Sequence, residues 1–400
     1  GGLAGDSLTD ADYNIAIGYN ALSTETLGSR SVAIGYEALG VQNTTTAVNM
    51  LNVAVGYNAG AAVTTGVKNT LMGANAGDAL TDADENVAVG HLSLTTDTRG
   101  SKSTAIGLSA LHSQNFTTAT DSHNTAVGHN AGYNVTTGVR NTLVGSGAGD
   151  SITTGNQNAV MGEGAGAALT DADYNVVVGR AALATDTLGS RSTAIGTYAL
   201  GTQNFTSATD NYNTAVGYAA GNQITTGINN TLIGGGAGDA LTDADFNVAL
   251  GTYALTTDTV GSKSTAIGYY SLGNQTFGST ATDSHNTAVG YHAGLAVTTG
   301  IRNTLMGAEA GDALADADDN VAIGALALSG DTLGSQSVAI GRGALKVQNF
   351  TTATSTYNVA VGYSAGERVT TGVQNVIIGG LAADALTDAD ENVAVGFAAL

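Results

Sequence analysis

Asn52-Val53-Ala54-Val55-Gly56 is followed by Asn69-Thr70-Leu71-Met72-Gly73, and that by Asn86-Val87-Ala88-Val89-Gly90, at an even step along the chain. This five-residue core is Asn or Ser, then any residue, then a small or apolar residue, an aliphatic residue and Gly. It recurs 22 times between Asn14 and Asn392. The step is 17 residues, except after each Ser-led core, where it is four or, once, five longer. Below, positions are counted from the Asn or Ser as position one.

A second period lies above the first. Four rungs make a super-repeat of about 72 residues, and super-repeats start near 14, 86, 175, 247 and 320. The interval Asn86–Asn175 is longer than the others by one whole rung, at 141–157. Whole-rung insertion with register kept on both sides is how a solenoid changes length. The expectation is one continuous repeat rod over 1–400. Because Gly1-Gly2-Leu3-Ala4-Gly5 begins inside a rung, the chain reads as a window of a longer protein.

Within a core the pattern alternates, and β-branched residues fill position two and much of position four. Both features favour strand over helix. A Gly at position five, often followed by another ten residues later (Gly56 then Gly66, Gly18 then Gly28), marks corners that need φ > 0. The expected rung is a short strand, a turn, a second short strand and a turn back. Stacked in parallel at about 4.8 Å, 22 such rungs span roughly 100 Å.

Composition agrees with a thin coil and restricts function. Gly is 57 of 400 residues, Pro, Cys and Trp are absent, and charged residues are only 11%. Ala, Val, Leu and Ile carry the apolar fraction, so small side chains must be buried in thin layers. A net charge of −21 works against nucleic acid and anionic membrane as partners. No apolar run is long enough to span a bilayer.

Successive strand residues point to opposite faces. Positions three and five carry Ala and Gly, a small face that lets the layers of the coil close. Positions two and four carry Val, Thr, Ile, Leu and Met, a stripe too apolar to be left in water along the whole chain. Packing of several copies through these stripes is the expected solution. The Asn at position one is expected to form an amide ladder up the stack.

The cores Ser31-Val32-Ala33-Ile34-Gly35 and Ser192-Thr193-Ala194-Ile195-Gly196 resemble the repeats of trimeric autotransporter adhesin heads, left-handed parallel β-rolls with three coils per trimer. Runs such as Asn213-Thr214-Ala215-Val216-Gly217-Tyr218-Ala219-Ala220-Gly221 resemble repeats of phage and marine-virus tail-fibre proteins. The rung here is longer than that of the adhesin heads. The resemblance implies a homotrimer and an extracellular fibre shaft. The leading expectation is a virus tail fibre displaying a receptor-binding tip; the alternative is a cell-surface adhesin or secreted filament. Contact with a host glycan or receptor would then fall to a domain outside this chain.

No constellation suggests an enzyme, since nearly every Ser and Asp belongs to the repeat. The best candidate chemistry is an alternating acidic motif, Asp82/Asp84/Asn86, with equivalents at Asp10/Asp12/Asn14, Asp171/Asp173/Asn175, Asp243/Asp245/Asn247, Asp316/Asp318/Asn320 and Asp388/Asp390/Asn392. Alternating oxygen ligands suit Ca²⁺. The same residues also suit tight turns and backbone caps. The longer rungs carry an aromatic, at Phe116, Phe205, Phe277 and Phe350, that is a candidate surface contact or a cover for the side of the coil. The six His residues show no metal-ligand spacing.

Overall fold

A computed structural model describes all residues from 1 to 400; its elements are all β-strands. The chain divides into two compact units, Gly1–Ile195 with Asn204–Asp210 and Gly196–Gln203 with Asn211–Leu400. Each unit is a parallel β-solenoid with eleven three-residue core strands. That makes about 22 turns in the chain, at the spacing the repeat predicts.

Register is kept position for position. In the first unit Val53 pairs with Thr70, Ala54 with Leu71 and Val55 with Met72. In the second unit Thr304 pairs with Val321, Leu305 with Ala322 and Met306 with Ile323. The longer rungs do not disturb this order, because Val32 still pairs with Val53; their additional residues leave the coil as a loop. A slip of one residue would turn the buried Ala row outward and the aliphatic rows inward, so the pattern itself fixes the register.

The expected second strand is present only beside the long loops. There Gly100–Ser101 pairs with Thr120–Asp121, Gly189–Ser190 with Thr209–Asp210, Gly261–Ser262 with Thr282–Asp283 and Gly334–Ser335 with Thr354–Ser355. Elsewhere the return path is a series of left-handed turns. Asn58 has φ 54°, Gly60 59° and Lys68 60°, and the equivalent three positions are left-handed throughout. Such a conformation costs a non-Gly residue about 1–2 kcal/mol and persists only where surrounding structure enforces it. Here the turns point amides along the stack: the Asn58 amide donates to Tyr36 O at 2.9 Å and the Gly60 amide to Ala76 O at 3.0 Å.

The glycine corners divide into two kinds. Gly56 has φ 145°, and a Cβ there would lie 2.4 Å from the carbonyl oxygen of Gly73. Gly66 was expected to need φ > 0 and does not; it is Gly because a Cβ would lie 2.4 Å from the carbonyl oxygen of Ala83. The core is thin, as the composition demands. Position three (Ala54, Leu71, Ala88) and position eight (Ala59, Ala76) are fully buried.

Candidate functional site

The buried side of each turn is fastened by polar bolts. Asn52 reaches across the coil, its Nδ2 donating to Gly66 O at 2.7 Å, while its Oδ1 accepts the Asn69 amide at 2.9 Å. Asn69 repeats the arrangement with Ala83 O at 2.8 Å and the Asn86 amide at 3.0 Å. Each such bond is worth a net ~1 kcal/mol, and all three Asn side chains are fully buried. The expected amide ladder is therefore present and recurs from rung to rung.

Where Ser replaces Asn, the side chain is too short to cross the coil, and a Gln eleven residues later crosses instead. Gln42 Nε2 donates to Ser31 Oγ at 3.1 Å and to Glu25 Oε2 at 2.9 Å, and its Oε1 accepts from Asn52 Nδ2 at 2.9 Å. Gln275 does the same with Ser264 Oγ at 2.8 Å, Asp258 Oδ2 at 2.6 Å and Asn286 Nδ2 at 2.8 Å. Gln114 and Gln348 repeat the pattern with Asp97 and Asp331. The carboxylates and the Gln side chains are fully buried.

The two rung types follow a simple exchange. In ten turns position nine is Leu and position twelve is Asp, Glu or Gln; in ten others position nine is Gly and position twelve is Val, Leu or Ile. A Cβ on Gly60 would meet Leu71 Cδ1 at 2.6 Å and Val63 Cγ2 at 3.3 Å. One apolar side chain fits in this layer, and it comes from position nine or position twelve. Where Leu supplies it from position nine, position twelve is free to carry the polar bolt.

The buried acids differ in their proton affinity. Burial pushes the Asp258 carboxyl up, and the opposing hydrogen bonds from Gln275 and the Gly261 amide do not cancel it. Burial also works to raise Glu25, but the Gly28 amide, Gln42 and both the amide and hydroxyl of Thr44 outweigh it, and the carboxyl ends below its usual value. The loop after Asp258 is one residue longer than its equivalents. In the shorter loops the amides of Phe116 and Phe350 bond Asp97 and Asp331 at 3.0 and 3.1 Å; no such bond joins Phe277 to Asp258.

The four aromatics of the long loops turn inward more than outward. Phe116, Phe205 and Phe350 are 6, 6 and 7% exposed, and Phe277 is half-buried. The Phe116 and Phe277 rings lie over Gly100 and Gly261, where a Cβ would meet them at 2.8 and 2.7 Å. The reading of these rings as surface contacts is corrected for the three buried ones: they cover the side of the coil.

The acidic motifs do not converge either. Asp84, Asp173, Asp245 and Asp318 each accept a backbone amide of the preceding turn, from Val67, Asn156, Ile228 and Ile301, at 2.6–2.8 Å. Asp171, Asp243 and Asp316 accept Thr hydroxyls at 2.6–2.7 Å, and Asp82 faces Arg99 at 3.4 Å. Asn86, Asn175, Asn247 and Asn320 are buried in the ladder, their amides donating to Gly100, Gly189, Gly261 and Gly334 carbonyl oxygens. No group of three or more His, Cys, Asp or Glu residues is placed to hold a metal ion. In the structure the alternation serves turn-to-turn hydrogen bonding, the turn and backbone-cap use of these residues.

What the molecule offers outward is the strand face. At position four Met72, Met161 and Met306 are 43, 47 and 42% exposed, and the position-two residues beside them are half-buried. Beyond the corner Gly, position six forms a further row. In the first rung after each Ser-led rung it is an exposed aromatic: Tyr57, His129, Tyr218, Tyr291 and Tyr363. One turn later it is always small: Ala74, Ser146, Gly235, Ala308 and Gly380.

Comparisons with family models, curated proteins and solved structures find no match to this chain. The fold itself defines the class, a parallel β-solenoid repeat protein with a polar-bolted core and an apolar outer strand face.

Proposed function

We propose that this chain is a length of shaft in an extracellular fibre, most simply a phage or virus tail fibre that holds a receptor-binding tip away from the particle. Three copies pack about a common axis through the outward rows at positions two and four. The observation that carries this reading is the continuity of those rows, which run through every turn of each unit with Val, Ile, Leu or Met at every position four, mostly Val or Thr at position two and no charged residue in either. Left in water they would form an apolar patch far beyond the few hundred Å² normal for a monomer. In this role the segment works mechanically, through ladders that tie each turn to its neighbours, and has no catalytic part.

Antibodies raised against this segment and imaged by electron microscopy on the source particles test the assignment. The shaft reading expects label along the side of a thin fibre on a virion. Label over a cell envelope selects the surface-adhesin alternative, and label confined to the cell interior overturns both.

A further inference from the structure

Five tyrosines at position six form stacks that the fold does not require. In one unit the rings of Tyr19 and Tyr36 lie 5.4 Å apart at 20°, and those of Tyr36 and Tyr57 lie 5.3 Å apart at 14°. In the other unit Tyr269 and Tyr291 lie 5.7 Å apart at 10°. Each pair joins consecutive turns, and its separation is that of favourable aromatic contacts. The turns equivalent to those of Tyr36 and Tyr269 carry Leu108, Thr197 and Arg342 at the same position, so the coil accepts other side chains there. All five stacked rings are 43–54% exposed, and reagents in solvent reach them.

One-electron oxidation of a phenol releases a proton and leaves a radical shared between the oxygen and the ortho ring carbons. Two such radicals on facing rings join through their ortho carbons, and the hydrogens on those carbons move to the oxygens to restore both phenols. The pair loses two electrons and two protons in all; one hydrogen peroxide takes them up and becomes two waters. Holding both rings in one stack turns an encounter between molecules into a step within one chain. Glu37 bonds the Tyr36 hydroxyl, which places a carboxylate to accept the proton that oxidation releases. In the second cluster Tyr270 stands edge-on to Tyr269 at 4.7 Å. His292 lies 3.8 Å from Tyr291 and 5.7 Å from Tyr269, beside the tyrosine pair and not between its rings.

We propose that these stacks are dityrosine cross-linking sites, in which Tyr36 joins one of its two stacked neighbours and Tyr269 joins Tyr291, the oxidant being a haem peroxidase driven by hydrogen peroxide. Each link is a covalent staple between neighbouring turns of one chain. The Tyr36–Tyr57 and Tyr269–Tyr291 links would each close a segment that holds a long loop. A staple of this kind restricts the unfolded chain as a disulfide does, in a sequence that has no Cys. The inference rests on the ring geometry and does not depend on the fibre assignment.

Treating the dilute chain with a haem peroxidase and limiting hydrogen peroxide tests it, read by dityrosine fluorescence, denaturing gels and peptide mapping by mass spectrometry. Links are expected within single chains, as peptide pairs short of two hydrogens that join Tyr36 to Tyr19 or Tyr57, and Tyr269 to Tyr291. Tyr13 and Tyr174 face Arg30 and Arg191 at 5.8 and 4.9 Å. Both are expected to stay unlinked, although Tyr13 is 81% exposed. Tyr36→Phe keeps the ring and is expected to cut linking of Tyr19 and Tyr57 by about tenfold or more, with the Tyr269–Tyr291 link unchanged as an internal reference. Absence of the named links overturns the inference, as does linking that follows exposure with Tyr13 foremost, or linking mainly between separate chains. Undiminished linking of Tyr19 and Tyr57 in Tyr36→Phe also overturns it.

Discussion

Gln275 donates to the buried carboxylate of Asp258 at 2.6 Å across one turn of the coil, and the same amide group donates to Ser264 Oγ at 2.8 Å. This contact joins an acid rung to the Gln rung that follows it. In a stack of near-identical turns it distinguishes one neighbour from another, because an aliphatic rung offers the carboxylate nothing. A polar contact that specifies register in this way is a known use of buried polarity.

Breaking that pair should be costly, and removing it cleanly should not. Gln275→Leu leaves a buried carboxylate without its amide partner and is expected to destabilise by about 3–5 kcal/mol. Converting both rungs to the other type, with Leu255→Gly, Asp258→Leu, Ser264→Asn, Leu272→Gly and Gln275→Leu, follows the exchange seen in the remaining turns, all of which begin with Asn, and should recover most of the loss. Chemical unfolding of the single and fivefold variants, with intact m-values, is the check.

Two glycines of similar appearance should behave oppositely. Gly56→Ala places a Cβ 2.4 Å from Gly73 O at φ 145° and is expected to cost about 3 kcal/mol or more. Gly235→Ala meets nothing and should stay within about 0.5 kcal/mol of the parent. Hydrogen exchange in the flanking turns would localise the first effect.

Glu25 and Asp258 should give pH dependences of opposite sign. The Glu25 carboxyl is held below its usual value, so its contribution is present above the unfolded pKa and is lost as pH falls through the folded one. The Asp258 carboxyl is raised; the folded chain binds that proton more tightly, and stability drains away as pH rises from the unfolded pKa through the folded one. Relative to the parent, Glu25→Gln should therefore lose ground on going from acid toward neutral pH, and Asp258→Asn should gain it. Melting curves between about pH 3 and pH 7 compare the two.

The rungs, their parallel stacking, the inward Ala row and the outward aliphatic rows were all legible in the Asn-x-Ala-Val-Gly period, because strand alternation leaves few choices. The return path was not. Left-handed turns fall on Lys68, Arg302 and Glu85, residue types that carry no turn signal, and are imposed by the stack itself. The sequence left Phe116 readable as a surface contact or as a cover for the side of the coil; only the close backbone at Gly100 decides where the ring goes. The polar bolt did leave a trace that single-motif reading passes over: an acid six residues before each Ser and a Gln eleven after it, in all five copies.

The central claim is association through the aliphatic strand face, and solution mass by light scattering on a sizing column tests it most directly. A trimeric shaft requires a single species of three chains of 39.4 kDa each, unchanged by EDTA. It also requires that Met72→Glu with Met306→Glu, two outward substitutions in that row, lowers the mass while the far-ultraviolet circular dichroism stays β. A parent chain that runs as a monomer, with its outer face exposed and the fold intact, would contradict it.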